Sequence, residues 1–269
     1  MIEHPNNVQI ETISACNAHC SFCPHSAMDP RPKRMETDDF IALLGEMADW
    51  EHPPSQICPF LTNEPFADAR MPLFVKLINY YLPNAHVVFY TNGSLFSDKT
   101  IEKLKSSTVA EITISFHHGN KADYEQELGI QFEKTVASMH RIIAAQICPV
   151  KILRVTDGDP KKDAGFHSFC ASEFPGTPAG CAGRFNWKGD IQTSVDLEST
   201  LDIICPRHTS LCVLVDGRVA LCCMDQNGQY SLGQTKQRKM LDIYNSDEAL
   251  RYRQNVKRAS EPCNRCTMR

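Results

Sequence analysis

Hydrophobic residues follow two spacings over the first 155 residues of the chain, and each spacing predicts one kind of element. Short runs rich in β-branched and aromatic residues predict strands, whereas apolar residues that recur every three or four positions predict amphipathic helices. Five strands are predicted, at residues 8–14, 56–62, 86–91, 110–116 and 149–155. Helices are predicted between them, at residues 37–50, 72–82, 99–106 and 131–145.

This alternation of strands and helices predicts an α/β fold. Short connections between alternating elements imply a parallel sheet with right-handed crossovers. Five units, with a sixth strand expected near residues 189–193, are too few to close an eight-stranded barrel. We therefore expect an open, partial (β/α)6 barrel, similar to part of a TIM barrel, over residues 1–193. Residues 157–188 show no periodic pattern, so a substrate-facing loop region or a disordered segment is expected there.

The pattern changes from about residue 194. Residues 210–223 predict a β-hairpin with Asp216-Gly217 at its turn, and residues 240–256 predict one amphipathic helix. A closely spaced pair of cysteines follows. These features predict a small C-terminal α+β domain over residues 194–269.

Composition bears on the surroundings of the protein rather than on its fold. A net charge of −4 and a pI near 6.2 provide no basic surface, which argues against nucleic acid as a partner. No apolar run approaches the about 20 residues of a membrane span, and the first residues lack a signal-peptide pattern. We therefore expect a cytoplasmic protein without a membrane partner, whose thirteen cysteines are reduced.

The first candidate site is the spacing C-x3-C-x2-C, formed by Cys16, Cys20 and Cys23 and followed by Pro24. It comes directly after the first predicted strand, at the strand end where barrel enzymes place their active sites. Three thiolates can hold a [4Fe-4S] cluster and leave one iron without a protein ligand, whereas a structural zinc site is normally closed by a fourth ligand. A zinc site and a chance spacing remain alternatives.

The second candidate site combines cysteines of the C-terminal region. Its proposed ligands are Cys205, Cys222, Cys263 and Cys266. Cys212 and Cys223 are alternatives for the first two positions. Four thiolates can close either an iron–sulfur cluster or a zinc site.

The three-cysteine spacing resembles the radical S-adenosylmethionine (SAM) superfamily, in which the open iron binds the amino and carboxylate groups of SAM. The second set resembles the SPASM auxiliary-cluster domain in its shortened, twitch form, which holds one auxiliary [4Fe-4S] cluster. Only three residues follow Cys266, so the further cysteines of a full SPASM domain are not expected.

The resemblance also implies SAM contacts for particular residues. The backbone of Phe22 matches the position that meets the adenine. Asn63 and Glu64 stand where the family has the end of a Gly-Gly-Glu motif, so Glu64 is expected to receive the SAM amino group. Ser115 resembles the residue that touches the SAM carboxylate or ribose.

Three further residues are candidates for catalytic roles. Family members often pair the SAM carboxylate with an arginine after the fourth strand, where this chain has Glu125 and Gln126; Arg154 is therefore the alternative partner. Tyr90 either faces the substrate or belongs to the core. His117 is either a satisfied polar side chain or a substrate acid or base.

By the same resemblance, the protein is a radical SAM oxidoreductase. It is expected to cleave SAM reductively to a 5′-deoxyadenosyl radical, remove a hydrogen atom and oxidise a small polar intermediate such as an aminocyclitol or sugar, with the auxiliary cluster as electron acceptor. The expected partners are that small molecule, or a short peptide, and a flavodoxin- or ferredoxin-type reductant; a monomer is expected. The alternatives are a peptide-modifying enzyme, a redox-neutral epimerase with a cysteine hydrogen donor such as Cys170 or Cys181, and a non-catalytic zinc adaptor.

Overall fold

The computed structural model describes residues 3–28 and 33–268 of the chain. In this part, strands and helices follow one another up to residue 183, and the hydrophobic pattern predicts this arrangement as far as residue 155. The strands are β1 (Asn7–Ile10), β2 (Gln56–Cys58), β3 (His86–Thr91), β4 (Glu111–Ser115), β5 (Val150–Thr156) and β6 (Ala179–Gly183). The helices are α1 (Thr37–Ala48), α2 (Met71–Tyr81), α3 (Asp98–Leu104), α4 (Lys121–Leu128), α5 (Phe132–Ala145) and α6 (Pro160–Glu173).

The six strands are parallel and lie side by side in chain order, from β1 to β6. One sheet face packs against the helices, and its alternate residues, such as Val8 and Phe89, are fully buried. Residues on the other face, such as Gln9 and Tyr90, remain partly or well exposed because that face is the concave interior of the barrel. The prediction of an open, partial barrel is confirmed.

The C-terminal region extends the same sheet. Strand β7 (Ser210–Val213) pairs in parallel with β1, so that Val8 stands opposite Leu211. Strands β8 (Arg218–Ala220) and β9 (Gly233–Gln234) continue the sheet in antiparallel order. The predicted hairpin therefore lies at the β1 edge of the partial barrel and brings the second cysteine set beside it.

Residues 157–188 differ from the prediction of an irregular region. They form α6 and β6, and the sixth strand lies about ten residues before its predicted position. Helix α6 carries few apolar residues, although its start has a capping Asp159 and Pro160 in the first turn. The sequence of β6, Ala-Gly-Cys-Ala-Gly, lacks β-branched residues; its place comes from five backbone pairs with β5 rather than from its own propensity.

Two other helices differ from their predictions. The single helix predicted at 240–256 is divided into α7 (Met240–Tyr244) and α8 (Asp247–Gln254), because the Ser246 side chain caps a new helix by accepting from the Ala249 N–H group at 3.3 Å. Helix α4 forms where only a connection was expected, between the cap Asn120 and the left-handed Gly129. None of the helices in the described part of the chain is long and apolar enough to cross a membrane.

Candidate active site

The three cysteines of the first motif lie on the connection after β1, at the C-terminal edge of the sheet. Backbone and side-chain hydrogen bonds of 2.8 to 3.0 Å fasten this loop to the connections that follow β2, β3 and β4. These bonds join Ala15 to Glu64, Asn17 to Asn92, and His19 to Leu128. The loop is therefore positioned by three neighbouring units of the barrel, and the thiols share one site.

The surroundings of these thiols disfavour ionisation in the absence of a cation. Burial raises the pKa of Cys16 to about 12, and burial likewise raises the pKa values of Cys20 and Cys23. A metal centre that takes up the thiolates offsets this cost. Among the residues described, no three Cys, His, Asp or Glu side chains are close enough to hold a single metal ion. Three thiolates with one open iron fit a [4Fe-4S] cluster, whereas a structural zinc site is normally closed by a fourth ligand.

Glu64 lies beside the cysteine loop and is 2% exposed. Its Oε1 accepts hydrogen bonds from the Thr91 hydroxyl at 2.7 Å and from the Phe66 N–H group at 3.1 Å, and its Oε2 accepts from the Asn92 N–H group at 2.7 Å. Burial raises the pKa of Glu64 to about 7 despite these bonds. The carboxylate therefore retains capacity for one more donor beside Cys16, as the SAM amino group would provide.

Two buried donors near this loop lack acceptors in the described structure. The Nδ2 atom of Asn63 is one, since its Oδ1 accepts from the Leu61 N–H group at 2.9 Å but its amide nitrogen has no partner. The Nε atom of Arg184, at the end of β6, is the other. A ligand with carboxylate and hydroxyl oxygens would satisfy such donors. Arg184 was missed at the sequence level because β6 itself was misplaced.

Phe22 lies between the barrel and the C-terminal region. Its ring meets the His117 ring edge-on with centroids 4.5 Å apart, and the Arg184 guanidinium lies 5.3 Å from its centroid. Its carbonyl accepts a hydrogen bond from the Trp187 indole N–H at 2.9 Å. A carbonyl has two lone pairs, so this bond leaves capacity for an adenine contact.

Ser115 and Tyr90 both lie on the concave face of the sheet. Ser115 is the last residue of β4 and therefore lies at the C-terminal edge of the sheet, as the cysteine loop does. Tyr90 is 46% exposed on β3, and its register partner on β4 is Thr113. Further along this face, the Lys151 ammonium pairs with the Glu111 carboxylate at 2.5 Å. The position of Tyr90 favours contact with a substrate over membership of the core.

His117 and His118 have different surroundings. The Nδ1 atom of His117 accepts from the Val155 N–H group at 3.0 Å, so its proton resides on Nε2; burial lowers its pKa to about 3. This geometry makes His117 a poor base. His118 instead contacts Glu127, with 3.2 Å between Nε2 and Oε2, and this hydrogen bond lowers the pKa of Glu127 to about 2. The pair of His118 and Glu127 is the better candidate base.

The predicted role of Arg154 as partner of the SAM carboxylate is not supported by its contacts. Its Nε donates to Asp163 at 2.7 Å, one terminal nitrogen donates to Asp157 at 2.7 Å, and the other donates to the His117 carbonyl. The side chain is 1% exposed and lies on the helix side of β5. Arg154 therefore fixes the position of His117 and of α6 rather than facing the cysteine loop.

The second cysteine set meets around one cavity, which we call the four-thiol cavity. Its lining includes Cys205, Cys222, Cys263 and Cys266. Cys212 lies elsewhere, with its thiol 3.5 Å from the Gln9 side chain in the barrel. Cys223 is not part of the lining, and it packs both against the cluster that contains Cys222 and Cys266 and against the one that contains Cys212. The structure thus brings together the four cysteines proposed from the spacing.

The four-thiol cavity has polar and cationic neighbours. The His208 Nε2 atom lies 3.4 Å from the Cys263 sulfur. Burial raises the pKa of Cys263 to about 12, and the nearby Lys257 ammonium opposes part of that rise. Trp187 packs against the cluster formed by Cys222, Met224, Cys266 and Met268, and its indole N–H donates to the Phe22 carbonyl. One side chain therefore connects the lining of the four-thiol cavity with the first cysteine loop.

Fold and site together define a partial-barrel iron–sulfur enzyme with two cysteine-based cluster sites. The radical SAM superfamily model matches residues 10–160, which are more than half of the chain, and the chain belongs to that superfamily. The SPASM model, described as an iron–sulfur cluster-binding domain, matches residues 205–267. The predicted enzyme class and cofactors, namely SAM, its [4Fe-4S] cluster and auxiliary iron–sulfur chemistry, are confirmed.

Several characterised proteins are similar to the chain. The S-adenosyl-L-methionine-dependent 2-deoxy-scyllo-inosamine dehydrogenase of Niallia circulans is 22% identical over 273 residues, covering 96% of this chain and 91% of that protein. The crystal structure of BtrN in complex with AdoMet and 2-DOIA has a TM-score of 0.69 at 18% identity, covering 99% of this chain and 94% of that one. SuiB of Streptococcus suis bound to the precursor peptide SuiA has a TM-score of 0.73 at 14% identity, covering 98% and 70%. The structural similarities show the fold.

Proposed function

We propose that the protein is a radical SAM dehydrogenase that oxidises a small polar substrate, such as an aminocyclitol or sugar, with the auxiliary cluster as electron acceptor. The observation that carries this proposal is the four-thiol cavity, because a fully ligated cluster can store an electron without binding SAM. The similarity over nearly the whole chain to a dehydrogenase of an aminocyclitol supports the substrate class.

Residues at the C-terminal edge of the sheet would hold SAM. Cys16, Cys20 and Cys23 provide three thiolates for the cluster, which with SAM bound supplies a 5′-deoxyadenosyl radical able to remove a hydrogen atom. Glu64 would accept from the SAM amino group. The Asn63 amide and the Ser115 hydroxyl would donate to its carboxylate or ribose oxygens, and the Phe22 backbone would meet the adenine.

The concave face of the sheet would hold the substrate. Tyr90, Thr113 and the Lys151–Glu111 pair place hydroxyl, ammonium and carboxylate groups along this face, and such groups complement a polyhydroxylated ring. His118, oriented through Nε2 by Glu127, would take the hydroxyl proton. His117 and Arg154 would be positioning residues behind it.

Oxidation of an alcohol to a carbonyl removes two electrons and two protons from the substrate. One electron and one proton leave together as the hydrogen atom that completes 5′-deoxyadenosine. The second proton goes to the base. The second electron needs an acceptor within the protein. The thiolates of the four-thiol cavity would hold the cluster that serves as this acceptor.

A redox-neutral epimerase requires a cysteine that faces the substrate. Cys181 does not, because it lies on the helix side of β6 within 3.6 Å of the His167 side chain, and Cys170 is buried in α6. Cys58 and Cys212 lie near the barrel interior, where their thiols contact the side chains of Asn7 and Gln9, respectively. An epimerase would convert the substrate to an isomer and give no oxidised product in the wild type. If the wild type does so, and Cys58→Ala or Cys212→Ala stops formation of the isomer, the protein is an epimerase.

The test of the dehydrogenase replaces Cys263 and Cys266 by Ala in anaerobically reconstituted protein, with the exposed Cys181→Ala as control. We expect iron to fall from about eight to about four per chain, 5′-deoxyadenosine still to form, and the oxidised product to disappear. Candidate aminocyclitols, sugars and precursor peptides are assayed in parallel. Full product formation in the double variant would remove the electron-acceptor role, and turnover of peptides alone would identify a peptide-modifying enzyme.

We also propose a cytoplasmic monomer that receives its electrons from a flavodoxin- or ferredoxin-type protein. All thirteen cysteines are free, which suits a reducing compartment. Sedimentation analysis and SAM cleavage driven by reduced flavodoxin or ferredoxin test these points; a stable dimer, or no cleavage with either donor, would contradict them.

A further inference from the structure

Two lysine side chains are buried in the lining of the four-thiol cavity. Lys257 is 2% exposed and Lys188 is 5% exposed. Lysine is rarely buried to this extent unless its charge is compensated. Both therefore require a physical explanation in this place.

The Lys257 side chain is surrounded by hydrogen-bond acceptors. Its Nζ lies 3.1 Å from the Thr200 hydroxyl oxygen, 2.8 Å from the Met268 carbonyl, and within hydrogen-bond distance of the Cys266 carbonyl. The Thr200 hydroxyl directs its own hydrogen to carbonyls, including that of Leu197 at 2.8 Å. Three acceptors surround Nζ, and only the protonated amine has three hydrogens to donate.

Lys188 has the same arrangement. Its Nζ donates to the Met224 carbonyl at 2.7 Å, the Gln226 Oε1 atom at 2.9 Å and the Asp190 carboxylate at 3.2 Å. The two lysines differ in charge compensation. Lys188 has Asp190 as a partner, whereas no carboxylate in the described part of the chain forms an ion pair with Lys257.

A cluster bound by the four thiolates would place negative charge beside Lys257. Its net charge becomes more negative by one unit on reduction, so a fixed cation in a dry setting stabilises the reduced form more than the oxidised form. Lys257 is close enough to act on this site, because it lines the four-thiol cavity with the four cysteines and its Nζ lies within hydrogen-bond distance of the Cys266 carbonyl.

We propose that Lys257, with a smaller contribution from Lys188, raises the reduction potential of the auxiliary cluster. The two lysines thereby enable the cluster to take the single electron that remains when the substrate has lost a hydrogen atom and a proton. The inference rests on the proposed function, since it assigns these lysines to the electron acceptor of that reaction. Both are positioning residues, because neither is placed to touch the substrate.

The test is a redox titration, followed by electron paramagnetic resonance, of the full reconstituted chain and of Lys257→Met, Lys257→Arg and Lys188→Met. The auxiliary signal is assigned as the one that persists when the three cysteines of the first motif are replaced. Lys76→Met, an exposed lysine on α2, is the control. Iron content and 5′-deoxyadenosine formation are measured on every sample.

We expect Lys257→Met to lower the equilibrium constant for one-electron reduction of the auxiliary cluster at least tenfold, which is about 59 mV. Lys188→Met should lower it less, and Lys257→Arg and the control should stay within threefold of the wild type. If Lys257 only stabilised the fold, its substitution would change the iron content, and the reduction potential would not differ between the neutral and the charged variants. If Lys257→Met binds no auxiliary cluster, the reduction potential of Lys188→Met is the test: a lowered potential supports the proposal, and an unchanged potential contradicts it.

Different results would contradict the role of the lysines and the proposed dehydrogenase function. An auxiliary cluster whose potential is unchanged in both neutral variants overturns the role of the lysines and leaves the dehydrogenase proposal standing. A wild-type chain with no auxiliary cluster signal overturns the dehydrogenase proposal itself.

Discussion

Glu64→Gln tests the proposed SAM site most directly, because the substitution preserves shape and removes one charge. The glutamine Oε1 can still accept from Thr91 and Phe66. Its amide nitrogen replaces the oxygen that accepts from the Asn92 N–H group at 2.7 Å. Two donors then face each other, and the substitution alters both stability and ligand binding.

The effect on stability depends on pH. Burial raises the pKa of Glu64 from 4.5 to about 7, so its contribution is fully present below pH 4.5 and is lost as the pH rises through 7. A shift of this size corresponds to about 3 kcal/mol. Gln avoids that loss but leaves the Asn92 N–H group without an acceptor, which costs about 1–3 kcal/mol. In urea unfolding of the ligand-free protein, the variant should be less stable than the wild type near pH 5 and similar to it near pH 8.

The effect on SAM binding follows from the lost charge. A hydrogen bond to a carboxylate contributes about 1.5–3 kcal/mol, so SAM should bind about tenfold to hundredfold more weakly. Anaerobic equilibrium binding to the reconstituted enzyme measures this. Glu11→Gln is a matched control, because Glu11 is also 2% exposed with a pKa raised to about 7 by burial, but it bonds the C-terminal hairpin. Equal SAM affinity in the two variants would refute the assignment of Glu64.

Three further substitutions test other parts of the site. His118→Ala should retain 5′-deoxyadenosine formation and lower product formation about 100-fold, as expected for loss of a general base; an equal loss in His117→Ala alone would contradict the assignment. Trp187→Phe removes the hydrogen bond to the Phe22 carbonyl and should weaken SAM binding by about 1 kcal/mol, measured as a change in Kd. An unchanged Kd would show that this hydrogen bond does not position the Phe22 backbone for SAM. Arg154→Met leaves Asp163 without its ion-pair partner and leaves Asp157 paired with Lys162 alone. The substitution should destabilise the fold by about 1–3 kcal/mol, and a loss below about 0.5 kcal/mol in urea unfolding would show that the ion pairs contribute little.

Helices α4 and α6 show where sequence patterns were insufficient. Both are short of apolar residues: α4 buries Tyr124 and Leu128, and α6 buries Phe166 and Cys170. A hydrophobic stripe this sparse does not distinguish a helix from a loop. Their capping residues were visible in the sequence and were the signal that could have revealed them.

The position of each side chain in the site was less predictable than its presence. Arg154 is polar and lies near the end of a strand, which made it a candidate SAM ligand. Its register on β5 directs it toward α6, where two carboxylates bind it. Lys257 carried no sequence signal at all, since a lysine such as this one, between Val256 and Arg258, usually belongs to the surface.

The sequence by itself determined the alternating α/β pattern and the three-cysteine motif, and it proposed the second set with Cys212 and Cys223 as alternatives. These features depend on spacing between near neighbours, which the linear chain records. Only the tertiary structure decided which buried donors and acceptors surround the cysteine loop, which histidine is paired with Glu127, and that Lys257 lies in the lining of the four-thiol cavity. Those relations join residues far apart in the chain, and they arise from strand register and burial, which no local pattern specifies.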